Sequence, residues 1–156
     1  MKILMVCLGN ICRSPLAHGI LEDKIRKNKL IAEVDSAGTG AWHIGEPPDQ
    51  RSVETALNHG INISNQRARK FNLNDFNEFD IIFVMDTSNL QDITNMSEDP
   101  KKLLKVKLIL NEVYPNQNKS VPDPYYGGES GFEKVYQMLN VACDFIIKKI
   151  RSHEKG

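Results

Sequence analysis

Near the start of the chain a cysteine is followed by five residues and then an arginine, in Val6-Cys7-Leu8-Gly9-Asn10-Ile11-Cys12-Arg13-Ser14-Pro15. A thiolate and a guanidinium at that spacing can share one oxyanion: the sulfur attacks phosphorus while the planar fork of Arg13 grips two phosphate oxygens. In a tight strand-to-helix loop, successive N–H groups from Leu8 to Ser14 turn inward and form an anion-binding concavity. The helix adds its own unpaired amides and the positive end of its dipole. Gly9 and Asn10 are residue types that tolerate the positive φ such a loop needs. All of this favours Cys7 as thiolate, and the Ser14 hydroxyl can donate a further hydrogen bond to the sulfur. The chemistry implied is phosphoryl transfer, with preorganised donors meeting the charge on the equatorial oxygens. A cysteine closing a buried strand is also a common small apolar residue, and the local sequence leaves both readings open.

A phosphate-ester oxygen must be protonated as it leaves, and a carboxylic acid suits that task. Asp123 stands in Val121-Pro122-Asp123-Pro124-Tyr125-Tyr126-Gly127-Gly128, where prolines stiffen the backbone and two rings can stack on an inserted phenyl group. The same composition makes an ordinary turn, and nothing local sets Asp123 opposite Cys7.

These residues need a frame. Lys2 to Cys7 is a near-continuous apolar run, as in a central parallel strand. Ser14-Pro15 predicts a helix start, Ser as cap and Pro first, with Leu16, Ile20, Leu21 and Ile25 as its apolar stripe. Further strands are predicted at 33–36, 80–85 and, more weakly, 106–110. Helices are predicted at 50–58, stopped by Gly60, and at 88–94, with a long amphipathic one from Phe132 to Ile150. Alternating strands and helices imply an α/β fold with a parallel sheet, whose ligands bind beyond the carboxyl ends of the strands. Cys7 falls at such an end.

Composition narrows the classes. The 156 residues carry 40% hydrophobic and 26% charged side chains, and 20 basic residues balance 20 acidic ones. That fits one domain over residues 1–156. No basic stripe speaks for nucleic acid and no basic amphipathic face for a membrane. Ile3 to Val6 is too short for the apolar core of a secretion signal. An odd count of three cysteines speaks against a disulfide framework, so a cytoplasmic protein with reactive thiols is expected. His18, His43, His59 and His153 lack metal-ligand spacing and read as surface or loop residues. Cys143 lies in the apolar stripe of the last helix and reads as core. Trp42, in a loop with Gly and His, reads as exposed. Asp86 is as compatible with capping as with catalysis.

Taken together the motifs resemble the low-molecular-weight protein tyrosine phosphatase family, over essentially the whole chain. The segment from Val6 to Pro15 resembles its signature, and Asp123-Pro124-Tyr125-Tyr126-Gly127 its general-acid loop. Asp35-Ser36-Ala37-Gly38-Thr39, Gly45-Glu46-Pro47-Pro48-Asp49, Ala68-Arg69 and Met85-Asp86-Thr87-Ser88-Asn89-Leu90 fall between them in the family's order. The resemblance implies a flavodoxin-like three-layer architecture with a four-stranded parallel sheet flanked by helices. It implies Cys7 as nucleophile, Arg13 as phosphate clamp and Asp123 as general acid, then base. Leu8, Gly9, Asn10, Ile11, Cys12, Arg13 and Ser14 would bind phosphate, and Asn10, Ser14 and Ser36 would support the loop. Leu8, Trp42, Tyr125 and Tyr126 would line the substrate slot, and Cys12 would trap an oxidised Cys7. No metal or cofactor is implied; the partners are phosphotyrosine-containing proteins, with a monomer as the working expectation. One departure is Gln66, where many relatives carry histidine; tuning rather than loss is expected. Arsenate reductase, arginine phosphatase and a non-catalytic phosphoprotein-binding module are the rivals. The first lacks a cysteine relay here, the second is disfavoured by the bulk of Ile11, and the third would be expected to lose Cys7 or Asp123.

Overall fold

The computed structural model describes the backbone of residues 1–156 and the side chains of all but Glu129. Its strands are β1 (Lys2–Cys7), β2 (Glu33–Gly38), β3 (Ile81–Val84) and β4 (Val106–Leu108), all parallel in the order β2-β1-β3-β4. Between and after them come α1 (Arg13–Lys27), α2 (Gln50–Asn58), α3 (Asp75–Glu78), α4 (Thr87–Thr94), α5 (Pro100–Leu103) and α6 (Glu129–Lys155). A short 3-10 turn at Ile109–Glu112 follows β4.

The sheet is covered on both faces. Ile3, Met5 and Phe83 pack with Leu16, Ile20 and Leu21 of α1 and Leu139, Ala142 and Ile146 of α6. On the other face Leu4, Val6, Ile82 and Val84 meet Phe71, Phe76 and Ile93. This is why β1 reads as unbroken apolar sequence: Ile3, Leu4, Met5 and Val6 are all 0% exposed. Each such burial contributes about 1.5–3 kcal/mol, so β1 is a rigid base for whatever lies at its end.

From β1 the chain crosses to β2 on one side and later to β3 on the other. The strand order therefore reverses at β1, which opens a crevice beyond its carboxyl end. Cys7 is the residue that reaches it.

The predicted architecture holds, with differences at element ends. Helix α1 begins at Arg13, its cap position is Cys12, and no side chain caps it. Ser14 does not cap because its hydroxyl is committed to Cys7 and Asn10. Strand β2 runs on to Gly38 because the segment around Lys70 lies beside it: Gly38 donates to the Arg69 carbonyl and Phe71 to that of Gly38. The predicted strand at 106–110 stops at Leu108, where the chain tightens into the 3-10 turn. Helix α4 starts at Thr87 with Asp86 as its cap. The short helices α3 and α5 carry too few residues to show a periodic pattern, and the sequence reading did not contain them. Among the described residues no helix is long and apolar enough to cross a membrane.

Candidate active site

After Cys7 the chain doubles back through Leu8–Cys12 into α1. Asn10, not Gly9, takes the left-handed conformation, at φ 58°. Gly38 runs so close beneath the loop that a Cβ there would sit 2.8 Å from the Leu8 carbonyl oxygen. The Asn10 side chain stitches the turn: Nδ2 donates to Ser14 Oγ at 2.8 Å, and Oδ1 accepts from the Arg69 N–H at 3.0 Å. Arg69 is itself anchored by Asp35 and Asp75.

Among the described residues, no N–H from Leu8 to Ser14 donates to a protein acceptor. Yet Asn10, Ile11, Cys12, Arg13 and Ser14 are all buried. An unpaired buried amide costs about 1–3 kcal/mol. A tetrahedral oxyanion, with several acceptor oxygens, can satisfy a ring of them at once.

Cys7 is 2% exposed and its Sγ lies 3.0 Å from Ser14 Oγ. Asn10 donates to that hydroxyl oxygen, which leaves the hydroxyl hydrogen available to the sulfur. Behind the loop, Arg13 Nη1 donates to Asp86 Oδ2 at 2.7 Å and to the Val121 carbonyl at 2.9 Å. Burial alone would pull the guanidinium down, but Cys7, Asp86 and Asp123 outweigh it and raise Arg13 above its ordinary value. Asp86 thus does two things: Oδ1 caps α4 by accepting from the Asn89 N–H at 2.7 Å, and Oδ2 aims Arg13.

Asp123 closes the opposite wall. It lines a cavity of about 370 Å³ together with Cys7, Leu8, Ile11, Arg13, Trp42 and Tyr125. Gly9, Cys12 and Tyr126 border the same space. Its Oδ1 accepts from the Tyr125 N–H at 3.0 Å, and its Oδ2 is 3.7 Å from Arg13 Nη2. Tyr125 and Tyr126 meet edge to face with ring centres 5.0 Å apart. Trp42 stands 70% exposed and Tyr126 94% exposed at the mouth. His43, a loop residue as read, also reaches the mouth: its ring covers Gly9, and Nδ1 lies 2.6 Å from Glu46 Oε2. Only its neighbour Trp42 hinted at that in the sequence. No cluster of three or more potential metal ligands occurs among the described residues.

Two expected supports sit elsewhere. The Ser36 hydroxyl lies 3.3 Å from His18 Nδ1 and makes no bond to the loop. At that point Arg69 takes the place expected of it, through its backbone N–H. Gln66 Nε2 donates to the Pro15 carbonyl at 3.1 Å, so it ties its loop to the first turn of α1 rather than to the phosphate loop.

Two of the three thiols are held protonated by their surroundings. Cys12 is pushed up to about 12, first by burial and then by Asp49, Cys7 and Asp123. Cys143 is pushed up to about 12 by burial in the core. Both stay protonated at neutral pH. Iodoacetate at pH 7 is therefore expected to label Cys7 and to spare Cys12 and Cys143 until the chain unfolds. Peptide mass mapping that found Cys12 labelled first would contradict this.

Over residues 2–155 the chain matches the family model described as low molecular weight phosphotyrosine protein phosphatase. It is 42% identical over 149 residues to the low molecular weight phosphotyrosine protein phosphatase of Schizosaccharomyces pombe, covering 93% of this chain and 94% of that protein. Its fold matches a protein tyrosine phosphatase from Entamoeba histolytica, solved with Hepes in the active site, at TM-score 0.91 and 35% identity over 99% of both chains. It also matches a Drosophila arginine phosphatase at TM-score 0.88 and 34% identity, over 96% of this chain and 97% of that one. Fold and relatives together define a hydrolase of the protein tyrosine phosphatase class. The chain belongs to the low molecular weight phosphotyrosine protein phosphatase family.

Proposed function

We propose that this protein hydrolyses phosphotyrosine in proteins, and small aryl phosphates, through a phosphocysteine on Cys7. The Cys7 thiolate attacks phosphorus from beneath, and a P–S bond forms as the P–O bond to the tyrosyl oxygen breaks. Asp123 gives its proton to that oxygen, so phenol rather than phenolate leaves. A water molecule then attacks phosphorus, Asp123 takes its proton, and the P–S bond breaks to release inorganic phosphate and the thiolate. Arg13 and the loop amides hold the three equatorial oxygens throughout.

The observation that carries this reading is one cavity lined by Cys7, Arg13, Asp123 and loop residues whose N–H groups have no protein acceptor among the described residues. Two carboxylates lie near Arg13, and their bonding separates their roles. Both Asp86 oxygens are occupied by donors, the Arg13 guanidinium and the Asn89 N–H, which fixes the group in place. Asp123 has one amide and one long contact to Arg13, and its side chain is 40% exposed, so it is free to carry and pass a proton.

The slot favours an aromatic ester. Leu8, Trp42, Tyr125 and Tyr126 offer apolar and aromatic walls between the mouth and the loop, and a seryl phosphate is too short to use them. Because an arginine phosphatase shares the fold, the fold does not choose the substrate. The residue that speaks for phosphotyrosine is Ile11, which lines the same cavity as Cys7 and whose bulk is taken to disfavour a guanidinium. Reduction of arsenate would need a relay of thiols, yet Cys143 is fully buried against the Ala17 carbonyl. Cys12 fits a protective role instead. Peroxide converts Cys7 to a sulfenic acid, and the Cys12 thiol condenses with it, releasing water and forming a disulfide that a dithiol reopens.

Turnover of phosphotyrosine, phosphoserine, phosphoarginine and arsenate should be compared side by side. Phosphotyrosine is expected to exceed phosphoarginine by at least roughly tenfold, the scale on which a misfit in an apolar pocket discriminates. Faster turnover of phosphoarginine would reverse the assignment.

A further inference from the structure

We propose that Arg51 is a positioning residue for proton transfer, holding the loop that carries Asp123 against the phosphate loop. This rests on the reading of Asp123 as general acid.

Arg51 is the second residue of α2, well outside both motifs. Its Nε donates to Asp49 Oδ1 at 3.0 Å and its Nη2 to Asp49 Oδ2 at 2.9 Å, a two-point clamp that fixes the plane of the guanidinium. That plane is the bearing surface for the acid loop and the start of α6. The guanidinium carbon lies 4.6 Å from the ring centre of Phe132 and 5.5 Å from that of Tyr125. The remaining nitrogen, Nη1, donates to the Gly127 carbonyl at 3.4 Å. The Tyr125 N–H in turn fixes Asp123 Oδ1. The other side of the bracket is the phosphate loop: the Asp49 N–H donates to the Ile11 carbonyl at 2.8 Å, and Ser52 Oγ to that of Cys12 at 3.3 Å. The first turn of α2 therefore spans nucleophile loop and acid loop, and Arg51 is its contact with the latter.

An arginine beside an oxyanion pocket invites another role, as a cation for substrate phosphate. The geometry disfavours it. Its fork is spent on Asp49, its faces lie against two rings, and it does not line the cavity around Cys7. Lysine cannot replace it, since a point charge lacks both the fork and the flat face.

The test is a cycle of Arg51→Ala, Asp123→Ala and the double variant, assayed on aryl phosphates with good and poor leaving groups. Arg51→Ala is expected to lower kcat/KM about tenfold on the poor leaving group, the effect of losing one well-packed cation–π contact. KM, and kcat/KM on the good leaving group, should stay within about twofold. In the Asp123→Ala background the substitution should change nothing further, because it acts only through Asp123. Arg51→Lys should resemble Arg51→Ala. Tyr125→Leu, which removes one ring and leaves the clamp, should show the same leaving-group dependence if Arg51→Ala does not fold. A raised KM with kcat intact, or an equal loss with and without Asp123, would overturn the positioning role while leaving the acid assignment standing. If Asp123→Ala itself shows no leaving-group dependence, the acid assignment fails and the inference fails with it.

Discussion

Replacing Cys7 by serine is expected to abolish turnover, by on the order of 10⁴-fold or more, as when a covalent nucleophile is lost. The change swaps a sulfur for an oxygen in a site that is otherwise rigid: β1 below is fully buried and the loop is held by Asn10 and Ser14. The serine hydroxyl would have to ionise to attack, and its proton is held far more tightly than that of a thiol. Binding should survive. The amides, Arg13 and Asp86 are untouched, and a neutral hydroxyl repels a phosphate dianion less than a thiolate does. Phosphate or vanadate affinity, measured by calorimetry, should thus be unchanged or tighter. A variant that kept most of its turnover would show that the sulfur does not form the intermediate, whatever its surroundings suggest.

Asp123→Ala is the second large effect. Loss of a general acid slows turnover roughly 10²–10⁴-fold, but only where the leaving oxygen needs the proton. The loss is read in kcat/KM, which covers only the steps up to departure of the phenol. There an aryl phosphate with an acidic phenol departs as its anion and should lose little, whereas phosphotyrosine should lose most of its rate. Hydrolysis of the phosphocysteine, where Asp123 is the base, should slow for both. Asp86 cannot stand in, because its oxygens are held by Arg13 and the Asn89 amide. Losses of the same size in kcat/KM on both kinds of substrate would remove Asp123 from the acid role and leave it as a wall of the pocket.

The sequence disclosed the frame well because long apolar runs have few alternatives. Lys2–Cys7 read as a central strand and is one, and the helix at Gln50–Asn58, with Gly60 as its stop, was legible to the residue. The loop after Cys7 was open to reading for a different reason: the role proposed for it falls to its backbone N–H groups, so adjacency in the chain is adjacency in space. What depends on the meeting of distant segments was hidden. Nothing near Asp123 showed that it would share a cavity with Cys7. Asp86 looked like a helix cap, which it is, and only the approach of Arg13 reveals its other oxygen at work. Arg69 holds Asn10 through a backbone N–H, so its side-chain type gave no sign of that contact. The start of α1 was misplaced because Ser-Pro is a strong start signal whose hydroxyl is here drawn off by the sulfur.

The exposed indole at the mouth has a practical consequence. Trp42 is the only tryptophan of the chain, and its ring closes on Gly40, where a Cβ would come within 1.9 Å of it. All indole emission therefore originates at the lip of the slot, with no background from the core. A ring sliding in beside it changes the polarity around one fluorophore and nothing else, so occupancy can be followed optically in the unlabelled protein. On the function proposed above, the enzyme carries its own reporter beside the slot that would receive the substrate.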